Sequence, residues 1–342
     1  MRIAQVAPLF EAVPPLLYGG SERVVSHLTE ALVVLGHEVT LLASGDSTTK
    51  ADLQAPWLTA IRLDPTIRDF LAPQIMQLEM LASRALEFDI IHLHNDFLAL
   101  PLLKRLGVPF LITLHGRVDL PETQKLLKMF DDVPLVSISG SQRKYYPEAN
   151  YIKTIHHGVP SDFLPLGNGS GGYLAFLGRI SPEKGPDAAI RISQRAGKKL
   201  VIAAKVDPFD REYFEKEIKH LLDLPHVEYI GEINDEQKSV FLGNATALLF
   251  PIAWPEPFGL AMIEAMMCGT PSIAMGLGAV PEVVEEGLTG FVVDNEDEAV
   301  AAVGRIGYLD RGKVRERGLQ RFSSGRMAQD YVALYGELSA SR

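Results

Sequence analysis

Short apolar runs alternate with helix-patterned stretches along the chain, and the series starts afresh near its middle. The first series has runs at 2–7, 38–43, 90–93, 110–114 and 135–138. After the first run, Val24, Val25, Leu28, Ala31, Leu32 and Leu35 recur at helical spacing from about Ser21. Gly36 stands where a helix-ending glycine belongs. The second series has runs at 173–177, 199–203, 227–230, 247–250 and 272–275, with helical patterns at 186–196, 210–222, 235–244 and 259–268. Buried runs that alternate with helices predict parallel sheets covered on both faces. Leu166-Gly167-Asn168-Gly169-Ser170-Gly171-Gly172 separates the two series and reads as a flexible linker. The expected class is α/β, with two doubly wound Rossmann-like domains facing a central cleft. The first spans 1–165, the linker 166–172 and the second 173–323. A last helix, 324–342, follows, with packing on either domain open. Ligands of such sheets bind beyond the carboxyl ends of the strands, so the loops after strands carry the functional reading.

Composition narrows the function. A chain of 342 residues with 47% apolar and 22% charged side chains suits two globular domains or one large one, not a disordered or fibrous protein. No uncharged apolar run nears the ~18 residues of a membrane span. The apolar start, residues 1–7, is too short for a secretory signal and reads as a strand. Residues 1–165 hold 14 basic and 18 acidic side chains and the remainder 19 and 25, so neither half is a nucleic-acid module. Lys125, Lys128, Arg143 and Lys144 read as a solvated helix face rather than a membrane patch, although peripheral contact with a membrane stays open. The lone Cys268 excludes an internal disulfide and a cysteine zinc site, and suits a reducing cytoplasm.

Four loops carry chemistry. Tyr18-Gly19-Gly20-Ser21-Glu22 lies at a helix start. It is either an anion-approach loop or a turn capped by Ser21. In Leu177-Gly178-Arg179-Ile180-Ser181-Pro182-Glu183-Lys184-Gly185 a guanidinium and an ammonium follow a strand, as a diphosphate requires, without a Walker A pattern. In Pro255-Glu256-Pro257-Phe258-Gly259-Leu260, Glu256 precedes a helix whose Glu264 lies between Ile263 and Ala265. A carboxylate there needs a partner, and a ribose diol would satisfy one. The free N–H groups near residues 258–260 favour a phosphate. His115, in Thr113-Leu114-His115-Gly116-Arg117, is either a neutral hydrogen-bonding residue facing the cleft or a histidine tucked at a strand end. Of His92 and His94, at most one is expected to face the cleft, and Asn95 and Asp96 follow at the strand end. His156-His157-Gly158 reads as hinge structure rather than metal ligation.

These residues together resemble the family 4 glycosyltransferases of GT-B fold, which use nucleotide-sugar donors and retain anomeric configuration. The resemblance rests on Glu256-Pro257-Phe258-Gly259 through Glu264-Ala265-Met266 and Gly269-Thr270-Pro271. Gly178-Arg179-x4-Lys184-Gly185, Gly19-Gly20, the Gly231 turn and Gly278-x2-Pro281-Glu282 match as well. It implies that Arg179 and Lys184 bind the donor diphosphate, with Gly19 and Gly20 approaching it from the other domain. Glu264 would hold the ribose, and Glu256 the hydroxyls of the transferred sugar. Phe258, Gly259 and Leu260 would line that region through their backbone, with Gly231 in the donor site and His115 beside the reacting bond. The family's hinge asparagine is His157 here. The chain carries no Asp-x-Asp motif, so no metal or other cofactor is expected. The expected donor is a UDP-sugar and the acceptor a hydroxyl of a glycan, a lipid-linked glycan or a small metabolite. Alternatives are a nucleotide-sugar epimerase of the same architecture and a non-catalytic nucleotide-sugar-binding protein. A dehydrogenase is disfavoured because Gly276-x-Gly278 lacks the full glycine fingerprint.

Overall fold

The computed structural model describes residues 1–95 and 97–340, and the chain divides into two units. The first joins Met1–Gly158 to the segment from Ser324 onward, and the second is Val159–Ser323. Asp96, read above as a polar contact at a strand end, lies outside the described residues.

The first unit is built on strands β1 (Arg2–Val6), β2 (Glu38–Leu42), β3 (Asp52–Gln54), β4 (Ile90–Leu93), β5 (Phe110–Leu114), β6 (Leu135–Ser137) and β7 (Tyr151–Thr154). They pair in parallel in the order β3-β2-β1-β4-β5-β6-β7. The order reverses between β1 and β4, which is where doubly wound sheets bind ligands. The helix Gly20–Val34 buries Val24, Val25, Leu28 and Leu32, and ends before Gly36 at φ 85°.

The second unit repeats the plan with β8 (Leu174–Arg179), β9 (Leu200–Lys205), β10 (Val227–Gly231), β11 (Ala247–Phe250), β12 (Ser272–Met275) and β13 (Gly290–Val293). The order is β10-β9-β8-β11-β12-β13, and the reversal falls between β8 and β11. The strands that the apolar pattern missed, β3, β7 and β13, are all sheet edges. An edge strand buries less and needs a weaker apolar signature.

Two sequence expectations change. The boundary lies at Gly158/Val159, not at 165/166, because the Val159 N–H already bonds the Phe322 carbonyl at 2.8 Å within the second unit. Residues 166–172 are not a flexible linker. The Gly167, Gly169 and Gly171 N–H groups donate to the carbonyls of Cys268, Gly243 and Asn244 at 2.9, 3.0 and 2.9 Å. A Cβ on Gly167 would lie 2.1 Å from the Gly243 oxygen, so glycine is there for close packing. The helix Ser324–Ala340 groups with the first unit and buries Met327, Tyr331, Leu334 and Tyr335. No helix among the described residues is long and apolar enough to cross a membrane.

Candidate active site

In the second unit, the loops after β8 and β11 meet at the point where the strand order reverses. The Ala253 N–H donates to the Glu183 carbonyl at 2.9 Å. Gly185, at φ 67°, lies so close that a Cβ would sit 2.2 Å from the Pro251 oxygen. Only glycine tolerates both the left-handed backbone and that approach. Two residues 72 apart in sequence are thereby joined: Lys184 Nζ lies 2.5 Å from Glu256 Oε2. The Trp254 indole N–H donates to the same oxygen at 2.8 Å, and the ammonium lies 5.2 Å from the Trp254 ring centre. The Ala279 N–H donates to the Glu256 carbonyl at 2.9 Å. Gly278 beside it has no room for a side chain, since its Cβ would be 2.3 Å from that oxygen.

Arg179 ends β8. Its guanidinium pairs with Glu183, and its Nε lies 3.0 Å from Asp210 Oδ2. Burial raises the Asp210 carboxyl above its ordinary range against the pull of Arg179. Burial acts on Glu183 in the same sense, but a backbone bond, Arg179 and Ser181 together hold it lower than usual. Both cations of the predicted diphosphate loop are thus ion-paired. Asp210 was not legible as a partner of Arg179, because it comes from a different loop.

Glu264 lies on the helix Leu260–Met267, whose first residue follows Gly259 with no side-chain cap. Phe258 is in the core, edge-on to Phe322 at 5.9 Å between ring centres. Glu264 is only 4% exposed, and the partner its surroundings demand is Lys238, with Nζ 2.7 Å from Oε1. Lys238 also lies 3.3 Å from Asp235. It stands on the helix Asp235–Asn244, which is fixed by an Asn234/Gln237 capping box. The sequence signalled that a partner was needed, not which one. Lys238→Met is expected to destabilise the second unit by about 3 kcal/mol, because it leaves a buried carboxylate unpaired. Denaturant unfolding measures this, and Glu264→Gln added to Lys238→Met is expected to recover most of the loss. Burial, followed by Glu264, pushes the Cys268 thiol up to about 12, which leaves it no role as a nucleophile. Gly231 ends β10, two strands from β8, and no described contact joins it to Arg179 or Lys184.

In the first unit, Gly19 rather than Ser21 occupies the cap of the helix Gly20–Val34, and no side chain caps it. His115 follows β5, with Nε2 2.8 Å from His94 Nδ1. His92 and His94 lie on the same face, with ring centres 3.9 Å apart. Residues two apart on a strand share a face, and both histidines are buried. His157 stacks on His115 at 5.2 Å. Among the described residues no group of three or more His, Cys, Asp or Glu is arranged to hold a metal ion.

Comparison with known proteins agrees with this architecture. Phosphatidyl-myo-inositol mannosyltransferase of Mycobacterium leprae is 24% identical over 379 residues, covering 100% of this chain and 98% of its own. The sucrose-phosphate synthase of Thermosynechococcus elongatus has the same fold at TM-score 0.80 and 20% identity, with both chains covered in full. HepE of Anabaena, solved in complex with UDP-glucose, has TM-score 0.75 and 16% identity, with 99% of this chain and 100% of its own covered. Residues 18–163 match the family described as Glycosyltransferase Family 4, and residues 167–317 the one described as Glycosyl transferases group 1. The chain belongs to the family 4 glycosyltransferases, enzymes of GT-B fold.

Proposed function

We propose that this glycosyltransferase moves a sugar from a nucleoside diphosphate, UDP by default, to an acceptor hydroxyl with retention of configuration. The observation that carries the reading is the meeting of Arg179, Lys184 and Glu256 in two loops at one strand-order reversal. Arg179 and Lys184 hold the donor diphosphate and take up the negative charge that grows on it as the glycosyl bond breaks. The uncapped N-terminus of the helix Leu260–Met267 adds N–H donors beside Gly259. Glu264 is held by Lys238 to accept from ribose hydroxyls, and Glu256 accepts from hydroxyls of the sugar. In the first unit, we assign His115 to a hydroxyl of the transferred sugar and the Gly19–Gly20 turn to a phosphate. The relative that bears a mannosyltransferase name and the neighbour solved with UDP-glucose support the choice of donor class. We place the enzyme in the cytoplasm, acting on a glycan, lipid-linked or small-molecule hydroxyl.

A thermal-shift panel of UDP, GDP, ADP and their sugars tests the reading, followed by nucleotide release with candidate acceptors. Stabilisation by one nucleotide and acceptor-dependent release are expected. Turnover of a nucleotide sugar without acceptor would point to an epimerase instead, and binding without release to a silent binding protein. Because two side-chain cations face the diphosphate, no metal is required, and the rate is expected to survive EDTA unchanged. Strict dependence on an added divalent ion would overturn that assignment.

A further inference from the structure

The first unit holds more imidazole than contact with a sugar requires. Gln5 on β1, His92 and His94 at the end of β4, Thr113 on β5 and His115 beyond it are linked, and Tyr331 and Tyr335 of the helix Ser324–Ala340 cover them. Gln5, His92, His94, Thr113 and both tyrosines are buried. The Gln5 side-chain NH2 donates to Tyr335 Oη at 3.1 Å, so its carbonyl oxygen faces His94 Nε2 at 2.7 Å. A carbonyl cannot donate, and the proton therefore sits on His94 Nε2. In a neutral ring His94 Nδ1 is then an acceptor, and its partner at 2.8 Å, His115 Nε2, is the donor. A neutral imidazole carries one N–H, which leaves His115 Nδ1 bare. That atom is buried and has no hydrogen-bond partner.

A second branch agrees without conflict. Tyr335 accepts from Gln5 and donates to His92 Nδ1 at 2.7 Å. His92 Nε2–H donates to Thr113 Oγ1 at 2.7 Å, and Thr113 donates to Tyr331 at 2.7 Å. Each link has one donor and one acceptor. No carboxylate takes part in these bonds, so nothing in them favours an imidazolium. Burial accordingly lowers the affinity of His92, His94 and His115 for a second proton, His115 to about 4.

We propose that Gln5 and His94 are positioning residues that fix the tautomer of His115, so that Nδ1 offers a lone pair to a hydroxyl of the transferred sugar. A bare nitrogen accepts from a hydroxyl and repels an ionised phosphate oxygen, which has no proton to give. The relay thus sorts the sugar end of the donor from its diphosphate end. The inference rests on the reading of His115 as a sugar-side residue.

The test is nitrogen NMR of the full chain labelled with ¹⁵N-histidine, with His115 assigned from the His115→Gln spectrum. In the wild type, without substrate, His115 Nδ1 is expected at an unprotonated position and Nε2 at a protonated one. Gln5→Leu removes the carbonyl that orders the relay. Tyr335→Phe frees the amide to turn over while keeping the ring. Each is expected to give a mixed His115 tautomer and to lower kcat/KM about tenfold, as loss of an outer-shell partner does. A protonated Nδ1 in wild-type His115 overturns the proposal. So does an unchanged His115 tautomer in Gln5→Leu or, should that variant not fold, in Tyr335→Phe. The spectrum needs no substrate, so a failed transfer assay and a failed tautomer assignment are told apart.

Discussion

Replacing Lys184 with alanine is expected to lower glycosyl transfer by about a hundredfold or more, the usual loss when one preorganised charge donor to a leaving group is removed. The structure adds a second reason. Lys184 Nζ is the cation against Glu256, whose side chain is only 12% exposed. Without it, Glu256 keeps the Trp254 indole but faces the incoming phosphates as an uncompensated anion. Arg179→Ala is expected to act alike, since it strips the cation from Glu183 and Asp210 together. Initial rates of nucleotide release at saturating donor measure both. Wild-type rates in the two variants would remove the charge-stabilising role. With no donor bound, each cation already has a carboxylate partner, so binding exchanges one pair for another.

The other large effect is on stability. The first unit is expected to weaken steeply as pH falls below about 6.5, before most carboxylates titrate. Burial holds His92, His94 and His157 well under the ordinary histidine value of 6.5, and His115 at about 4. The unfolded chain binds those protons near pH 6.5 and the folded one does not. Stability is therefore whole above 6.5 and falls between 6.5 and about 4, by about 1.4 kcal/mol per pH unit for each histidine that stays neutral. Urea unfolding at pH 7.5, 6 and 5, followed by a probe in the first unit, gives the slope. A flat profile over that range would show that the imidazoles protonate without unfolding.

The doubly wound plan was legible because strands buried on both faces are written as unbroken apolar runs, such as Ile90–Leu93 and Ala247–Phe250. The edge strands β3, β7 and β13 did not show. Within the site, Arg179, Lys184, Glu256 and Glu264 stood out because charge beside glycine or inside an apolar helix needs an explanation. Their partners did not. Lys238 and Asp210 reach Glu264 and Arg179 from other elements of the second unit, as Gln5 reaches His94 in the first, and only tertiary folding brings them there. The glycines at 167–172 carried a signal with two readings, freedom or close packing, and local sequence cannot separate these.

The return of the helix Ser324–Ala340 to the first unit has a consequence for synthesis. The two tyrosines that close over the imidazole relay come after the whole second unit in the chain. The amino-terminal sheet must leave the ribosome with that face still wet, and wait while the whole second unit is translated. A stop codon ahead of Tyr331 would therefore damage the sheet of the first unit, although every strand of that sheet precedes the stop.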